Sequence, residues 1–187
     1  MEKTLKQIGS DCLKIVLFGP ESTGKTTLAK QLASYYGTQW VPEYMRDFLQ
    51  KKWDETKETI EKEDLVPIAE GQISSENSAL KEAQEFLFCD TNLLELKVYS
   101  QYYYDGYCPK EILNACEENT YDYYFLTQID TPWKADDLRD RPYDREKLFR
   151  IFEKELQQRN LPYTLLEGDE KERLQKATQL LSNLKYN

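Results

Sequence analysis

The stretch LKIVLFGPESTGKTTLAKQLA, residues 13–33, decides the fold of this 187-residue chain. Its first residues, 13–18, are an apolar run typical of a buried strand, and residues 25–36 place leucine and alanine at helical spacing. Between them, GPESTGKT (19–26) satisfies the pattern G-x-x-x-x-G-K-[ST] in full. A strand, a glycine loop and a helix in this order predict a site that binds the phosphates of a nucleoside triphosphate.

Each fixed position of this loop has a physical reason. Gly19 and Gly24 permit backbone angles that let several N–H groups converge on one anion. The helix that begins near Lys25 directs the positive end of its dipole to the same place, and the lysine adds a mobile charge for the outer phosphates. The Thr26 hydroxyl is placed to ligate Mg²⁺, which prefers oxygen ligands. The alternative is a glycine turn with a surface lysine, but the full pattern in its strand and helix context favours nucleotide binding.

The rest of the chain alternates short apolar runs with longer amphipathic segments. This alternation predicts an α/β chain with a P-loop NTPase fold, a three-layer sandwich around a mostly parallel sheet of about five strands. We interpret residues 1–187 as one domain, with a mobile lid at about 130–144 and a flexible, charged excursion at about 53–64. The predicted strands are 13–18, 85–90, 121–127 and 162–167, with 38–43 as a weaker candidate. The predicted helices are 25–36, 64–83, 92–103, 109–118, 144–159 and 170–184.

Bulk composition narrows the class of protein. The net charge of −9 and the pI near 4.8 predict no nucleic-acid partner, because an acidic surface repels phosphates. There is no histidine and the four cysteines form no CxxC pair, so zinc sites and histidine-based catalysis are disfavoured. The sequence shows neither a signal peptide nor a membrane-spanning run, so we expect a cytoplasmic protein without membrane contact. Tyrosine is dense, and some of these rings belong in the core or in an interface, so a homodimer stays open.

A carboxylate follows the third predicted strand. In FLFCDT (86–91) an apolar run leads to Asp90, which at the carboxyl end of a parallel strand faces the ligand crevice. Asp90 is therefore predicted either to hold Mg²⁺ through water or to accept a proton from an attacking hydroxyl. The alternative is a helix N-cap for the segment that begins at Asn92, a role that Thr91 serves as well.

Two further segments distinguish a kinase from a bare NTPase, and the first is VPEYMRDF (41–48). It places Glu43 and Arg46 three residues apart, so that on a helical first turn they share a face. A carboxylate and a guanidinium near the phosphate loop suit an acceptor with a hydroxyl to deprotonate and a charge to orient. Spacing alone favours the alternative, an ordinary ion pair on a helix surface.

The second segment is TPWKADDLRDRPYD (131–144), which contains Arg139 and Arg141 among four aspartates. An arginine-bearing loop at this place is predicted to close over the triphosphate, exclude water and stabilise the charge of the transferred phosphoryl group. A solvated loop whose arginines pair with the neighbouring aspartates explains the composition equally well.

The motifs GPESTGKTTLAKQLA, EYMRDF, FLFCDTN and TPWKADDLR, with the spacing between them, resemble a known family. It is the ribosylnicotinamide kinase domain at the C-terminus of bifunctional nicotinamide-nucleotide adenylyltransferase regulators, a branch of the P-loop kinases. The P-loop is generic, whereas EYxR, the DT after the third strand and TPWxxDxLR are the specific part. The resemblance covers residues 13–170 and implies a kinase that uses ATP and Mg²⁺ to phosphorylate the 5′-hydroxyl of nicotinamide riboside in NAD salvage.

The resemblance also implies a role for each matched residue. Asp90 and Thr26 are implied to hold Mg²⁺, and Glu43 competes with Asp90 as the general base, with Asp90 preferred. The implied catalytic residues are Lys25, Asp90, Glu43 and Arg139. The residues implied to bind the triphosphate are Gly19, Glu21, Ser22, Thr23, Gly24, Lys25, Thr26, Thr27, Arg139 and Arg141. The residues implied to bind the acceptor are Trp40, Glu43, Arg46, Asp90 and Tyr103.

The chain departs from the family pattern in two respects. It is too short for the adenylyltransferase half or a DNA-binding module, so we expect a free-standing kinase without the regulatory function. The aromatic residue expected before the Glu of EYxR is Pro42 here, so Trp40 or a tyrosine from 102–104 has to stack on the acceptor. Two alternatives therefore stay open: a kinase for another nucleoside, a vitamin or a nucleotide, and a P-loop switch NTPase whose output is a partner-bound conformation.

Overall fold

A computed structural model describes residues 5–136, 138–139 and 142–184. In this part of the chain, strands and helices alternate as the sequence predicts. The strands are β1 (Leu13–Phe18), β2 (Gln39–Val41), β3 (Phe86–Asp90), β4 (Tyr123–Thr127) and β5 (Tyr163–Leu166). The helices are α1 (Lys25–Tyr36), α2 (Tyr44–Thr56), α3 (Leu65–Leu80), α4 (Leu93–Tyr103), α5 (Lys110–Glu118), α6 (Arg145–Gln158) and α7 (Glu170–Leu184). Within the described residues, no helix combines the length and apolar character needed to cross a membrane.

The five strands form one parallel sheet in the order β2-β3-β1-β4-β5. β1 lies at the centre, where Leu17 stands opposite Asp90 of β3 and Phe18 stands opposite Leu126 of β4. The chain moves from β1 toward one edge of the sheet and later returns to build the other edge, so the strand order reverses beside β1. Ligands of parallel sheets bind in the crevice at such a point, and the glycine loop begins there.

Alternate residues of β1 face opposite sides of the sheet. Ile15 and Leu17 pack against α1 and α7 in one apolar cluster, whereas Val16 and Phe18 pack against α4 and α6 in another. All four side chains are fully buried, which explains why this strand reads as an unbroken apolar run. A third cluster joins α2 and α3 to α4 and α5. Helices therefore cover both faces of the sheet, and the predicted three-layer α/β fold is confirmed.

The predicted element boundaries agree closely with the structure except at residues 44–64. Residues 44–56 form α2, which was not predicted as a whole helix. Its first half has apolar residues at helical spacing, whereas its second half is polar and charged. The segment 53–64, predicted to be a flexible excursion, contains the end of α2 and a 3₁₀ turn at residues 62–64, and its mobility stays a prediction. Lys52 Nζ lies 3.0 Å from a carboxylate oxygen of Glu61 and 2.8 Å from one of Asp64, which ties this turn to α2.

Candidate active site

The glycine loop leaves the end of β1 and curls around an open space. Gly19 and Gly24 have φ angles of +137° and +85°, in the left-handed region that other residues rarely adopt. A Cβ on Gly19 would also lie 2.9 Å from Thr127 Oγ1 and 3.1 Å from the Thr127 carbonyl oxygen, so only glycine fits beside β4. Because α1 begins at Lys25, its free N–H groups point into the same space as those of the loop.

Lys25 is folded back onto its own loop. Its Nζ donates to the carbonyl oxygens of Gly19 and Pro20, both at 2.8 Å, and lies 3.6 Å from Glu95 Oε1. Burial lowers the pKa of the lysine, but the surrounding carboxylates, Glu95 first among them, raise it above its usual value. The ammonium is therefore charged and held beside the phosphate-binding space, on a side chain long enough to turn toward an anion.

Asp90 and Thr26 meet at the head of β3. The Thr26 hydroxyl donates to Asp90 Oδ2, while Asp90 Oδ1 is buried and has no hydrogen-bond partner among the described residues. Burial raises the pKa of Asp90, with Lys25 and the Thr26 hydroxyl acting against that rise. The N-cap of α4, the alternative role considered for Asp90, is Asn92, whose side-chain oxygen accepts a hydrogen bond from the Leu94 N–H at 3.1 Å. The Thr26 hydroxyl and the Asp90 carboxylate are adjacent oxygen ligands, and Asp90 Oδ1 is available to bind a cation. This pair fits the preference of Mg²⁺ for oxygen ligands.

Glu43 and Arg46 stand at the beginning of α2 and line the same cleft as the phosphate loop. Glu43 occupies the N-cap position of the helix, and burial raises the pKa of its carboxyl to about 7, with Lys25 acting against that rise. A carboxyl with this pKa changes its protonation state near neutral pH, which suits a general base. Arg46 lies one turn further along and forms an ion pair with Asp136 of the predicted lid.

Asp136 connects two arginines that face the phosphate loop. Besides Arg46 it lies 3.3 Å from Arg139 Nη1, which also donates to the Lys134 carbonyl oxygen at 2.8 Å. Arg139 Nε is buried and has no partner among the residues that the structure describes. The other predicted lid arginine, Arg141, lies outside the described residues, as do Asp137 and Asp140. Arg46 and Arg139 thus line the same cleft as the phosphate loop, and the carboxylate of Asp136 lies between them.

The lid segment is joined to the glycine loop at Ser22. The Thr131 hydroxyl donates to the Ser22 carbonyl oxygen at 2.7 Å. Arg145, the first residue of α6, donates from its two terminal nitrogens to the carbonyl oxygens of Thr131 and Ser22, both at 3.0 Å. Its guanidinium also lies 5.7 Å from the centre of the Trp133 ring. The base of the lid is therefore anchored to the phosphate loop, and sequence reasoning did not identify Arg145.

The phosphate loop, the lid and the start of α2 enclose a cleft of about 590 Å³. This volume lies in the range of small-molecule sites. Asp90 and Glu95 do not line this cleft themselves, because Thr26 and Lys25 stand in front of them. The lining residues are Glu21, Ser22, Thr23, Gly24, Lys25, Thr26, Thr27, Leu28, Gln31, Glu43, Arg46, Asp130, Thr131, Pro132, Lys134, Arg139, Gly168, Asp169, Glu170 and Arg173.

Arg173 was also missed by sequence reasoning, since a single arginine in a regular helix belongs to no motif. It is 3% exposed and its guanidinium donates to the carbonyl oxygens of Thr23, Gln128 and Gly168. It also forms an ion pair with Asp130, whose second oxygen accepts from the Gly168 N–H at 2.7 Å. Arg173 thereby holds the phosphate loop, the end of β4 and the loop after β5 in one arrangement.

Two residues predicted to bind the acceptor are not brought to the cleft. Trp40 pairs in register with Phe88, so its side chain lies on the α1 side of the sheet, where Lys30 Nζ is 5.2 Å from the ring centre. Trp40 therefore does not line the cleft, and its stacking on the acceptor stays a prediction. Tyr103 lies at the end of α4, where its ring stacks on Tyr99 with centroids 6.1 Å apart.

Comparisons with known proteins identify a family and relatives of this chain. A family model described as an AAA domain matches residues 14–173. The trifunctional NAD biosynthesis/regulator protein NadR of Escherichia coli is 26% identical over 158 residues, which are 83% of this chain and 38% of that protein. The chain thus spans less than half the length of this curated relative.

Solved structures share the fold. The crystal structure of NadR protein in complex with NR has a TM-score of 0.72 at 20% identity, over 85% of this chain and 46% of that one. The structure of deoxyadenosine kinase from M. mycoides with products bound has a TM-score of 0.68 at 16% identity, over 91% of this chain and 100% of that one. The similarity to NadR confirms the resemblance that the sequence motifs indicated.

Proposed function

Because the chain belongs to the AAA domain family and carries a complete phosphate cradle, we propose that it is an ATP-dependent kinase for the 5′-hydroxyl of nicotinamide riboside. One observation carries the proposal: a single cleft is lined both by Lys25 with the glycine loop and by Glu43 with its raised pKa. Transfer to an alcohol needs both a grip on the phosphates and a group near the attacking hydroxyl. The similarity to a protein named for NAD biosynthesis, and to its complex with NR, supports the choice of acceptor.

Positioning and charge neutralisation supply most of the rate in this kind of reaction. Lys25 would turn from the carbonyl oxygens of Gly19 and Pro20 to the outer phosphates, while the N–H groups of the loop hold the rest of the triphosphate. Arg139 would leave Asp136 and follow the transferred phosphoryl group as the lid closes. Closure over the cleft would also exclude water, so that ATP is spared until an acceptor is bound.

We assign the two acidic residues different roles. Asp90 stands behind Thr26, and the described residues contain no cluster of three or more histidine, cysteine or acidic side chains that could hold a metal alone. Mg²⁺ would therefore rest on Thr26, Asp90 and phosphate oxygens, and when bound it neutralises charge on the phosphates. Glu43 lines the cleft directly, so we assign it, rather than Asp90, to take the proton of the attacking hydroxyl.

The proposal is tested by incubating the protein with ATP, Mg²⁺ and a panel of nucleosides and detecting monophosphates by mass. We expect nicotinamide riboside to be converted, and we expect Lys25→Ala to reduce the turnover by at least about 100-fold because the phosphates lose their cation. Lys171→Ala, at an exposed position of α7, is the matched control and should keep wild-type turnover.

Three results would contradict parts of the proposal. Near-normal turnover of Lys25→Ala would contradict the proposed role of the glycine loop in holding the phosphates. Consumption of another nucleoside, with nicotinamide riboside unchanged, would make the acceptor wrong while the reaction class stands. Hydrolysis of ATP that no acceptor stimulates, together with nucleotide-dependent binding of a protein, would favour a switch NTPase.

A further inference from the structure

Gln72 of α3 gives a hydrogen bond to the start of α2, next to the residue assigned as the general base. Its side chain is 4% exposed, and its Oε1 accepts from the Tyr44 N–H at 3.1 Å. Tyr44 is the first residue of α2, so this N–H is one of the four that a helix leaves without an internal partner. Glu43, at the N-cap position, makes no side-chain hydrogen bond to its own helix. Gln72 therefore provides part of the capping, and the Glu43 carboxyl stays available to the cleft.

The opposite end of the same amide is fixed by Glu76. Gln72 Nε2 donates to Glu76 Oε1 at 3.1 Å, and Glu76 is fully buried one turn further along α3. The other Glu76 oxygen accepts from Gln7 Nε2 and from the Tyr121 hydroxyl, both at 2.9 Å. All three partners donate, as a carboxylate requires, since it can only accept. Glu76 therefore holds the Nε2 end of the Gln72 amide, which directs Oε1 to the Tyr44 N–H.

This network is anchored far from the cleft, through Gln7 in the segment before β1. Gln7 Oε1 accepts from Lys14 Nζ at 2.8 Å and from the Thr120 N–H at 3.2 Å. The Gln7 N–H donates to Asn119 Oδ1 at 3.0 Å. The Gln72 amide is thus joined to side chains that are fixed at the start of β1 and after the end of α5, so it is held at both ends.

We propose that Gln72 is a positioning residue for Glu43: by binding the Tyr44 N–H it fixes the first turn of α2, and with it the direction in which the Glu43 carboxyl enters the cleft. The inference rests on the proposed function, since the placement serves the transfer of a proton to Glu43. A general base acts only within hydrogen-bond reach of the attacking hydroxyl, and a displacement of about 1 Å can lower a rate by about 100-fold. Without Gln72, the Tyr44 N–H turns to water and α2 frays at the end that carries Glu43.

A double-mutant cycle on kcat separates positioning from a general structural role. The four proteins are the wild type, Gln72→Met, Glu43→Gln and the double variant, each with saturating Mg·ATP and nicotinamide riboside. Methionine is as long as glutamine but has no amide to bind the Tyr44 N–H or Glu76. We expect Glu43→Gln to lower kcat at least about 100-fold and Gln72→Met to lower it about 10-fold, with the KM for ATP unchanged. In the Glu43→Gln protein, Gln72→Met should lower kcat less than about 2-fold, because the group that Gln72 positions is gone.

The pH profile of Gln72→Met gives a second measurement. Burial raises the pKa of Glu43 to about 7, Lys25 and Arg46 act against that rise, and Asp90 and Glu21 add to it. Loss of the Gln72 hydrogen bond opens this end of α2 to water, which moves the pKa back toward its ordinary value of about 4.3. The rise of kcat/KM with pH should therefore shift to lower pH in Gln72→Met.

Ser100→Ala is the control for lost stability. Ser100 is 1% exposed on α4 and its hydroxyl donates to the Tyr107 carbonyl oxygen at 2.7 Å, so the variant loses a buried hydrogen bond outside the Gln72 network. It should keep the kcat and the pH midpoint of the wild type. The inference is overturned if Gln72→Met lowers kcat by the same factor in the wild-type and Glu43→Gln backgrounds, or if it leaves the pH midpoint unchanged. If Gln72→Met does not fold, Gln72→Asn, whose amide is one methylene shorter, is taken through the same cycle.

Failure of the proposed function is a separate outcome. If the wild type phosphorylates no nucleoside of the panel, the proposed function fails. Titration of the Glu43 carboxyl, followed by ¹³C NMR and assigned by the loss of its signal in Glu43→Gln, then decides the role of Gln72. A lower midpoint in Gln72→Met than in the wild type supports the inference, and equal midpoints refute it.

Discussion

Replacing Gly71 with alanine should destabilise a helix that the same change would ordinarily stabilise. Gly71 lies inside α3, and in a helix interior alanine is more favourable than glycine by about 1 kcal/mol. The Tyr44 ring of α2, however, lies against the Gly71 backbone. A Cβ at this position would be 2.0 Å from Tyr44 Cε1 and 2.1 Å from Tyr44 Cζ, so either the ring or α2 has to move.

The expected size of the effect follows from two opposing contributions. Overpacking at a well-filled contact costs about 1–3 kcal/mol, and overlap with several ring atoms corresponds to the upper part of this range, about 2–3 kcal/mol. The helix propensity of alanine offsets about 1 kcal/mol of it. We expect the free energy of unfolding to fall by about 1–2 kcal/mol and the Tm to fall by about 2–8 °C. Tyr44 follows Glu43 directly and its N–H donates to Gln72 Oε1 at 3.1 Å. The KM for the acceptor should therefore rise more than the KM for ATP.

Urea unfolding of four proteins isolates the contact: the wild type, Gly71→Ala, Tyr44→Ala and the double variant. Without the Tyr44 ring, Gly71→Ala should stabilise by about 1 kcal/mol, so the sign of its effect reverses. Ser74→Ala, on the exposed face of α3, is the matched control and should change stability by only about 0.5 kcal/mol. The reasoning is refuted if Gly71→Ala stabilises the wild type as much as it stabilises Tyr44→Ala.

Three further predictions concern separate buried or titrating groups. Arg173→Lys should lower the free energy of unfolding in urea by about 3 kcal/mol and raise the KM for ATP, because lysine cannot make the hydrogen bonds of the planar guanidinium. Arg150→Lys, at an exposed ion pair, is the control and should change neither quantity. Equal behaviour of the two variants would contradict the proposed role of the Arg173 hydrogen bonds. Glu76 is fully buried and accepts from the side chains of three residues, so Glu76→Ala should cost about 3 kcal/mol and a loss below about 1 kcal/mol would contradict its role. A general base works only after losing its proton, so kcat/KM should rise with pH through about 7, the raised pKa of Glu43, and level off above it. If Glu43→Gln retains the same pH profile, another group accepts the proton of the attacking hydroxyl.

The phosphate cradle could be read from the sequence because its parts are consecutive. The run that forms β1, the two glycines and the start of α1 each act within a few residues, so local conformational preference and the apolar pattern are sufficient to predict them. Asp90 could be placed for a related reason, since the carboxyl end of any parallel strand next to β1 faces the same crevice. α2 was the exception. Tyr44, Met45, Phe48 and Leu49 have helical spacing and pack in the third apolar cluster, but the charged residues that follow them led to the prediction of an excursion.

The acceptor side was decided only by the tertiary structure. Trp40 is directed to the α1 side of the sheet by its register with Phe88, and sequence does not specify register between strands that are far apart in the chain. Arg173 and Glu95 contact the phosphate loop although they are far from it in the sequence, so no local spacing pattern predicts these contacts. Sequence by itself therefore determined the loop that is predicted to bind the phosphates, because that loop is one continuous segment. The charge around Lys25 depends on which distant carboxylates the packing of α2 and α4 brings near it, and only the folded chain specifies that packing.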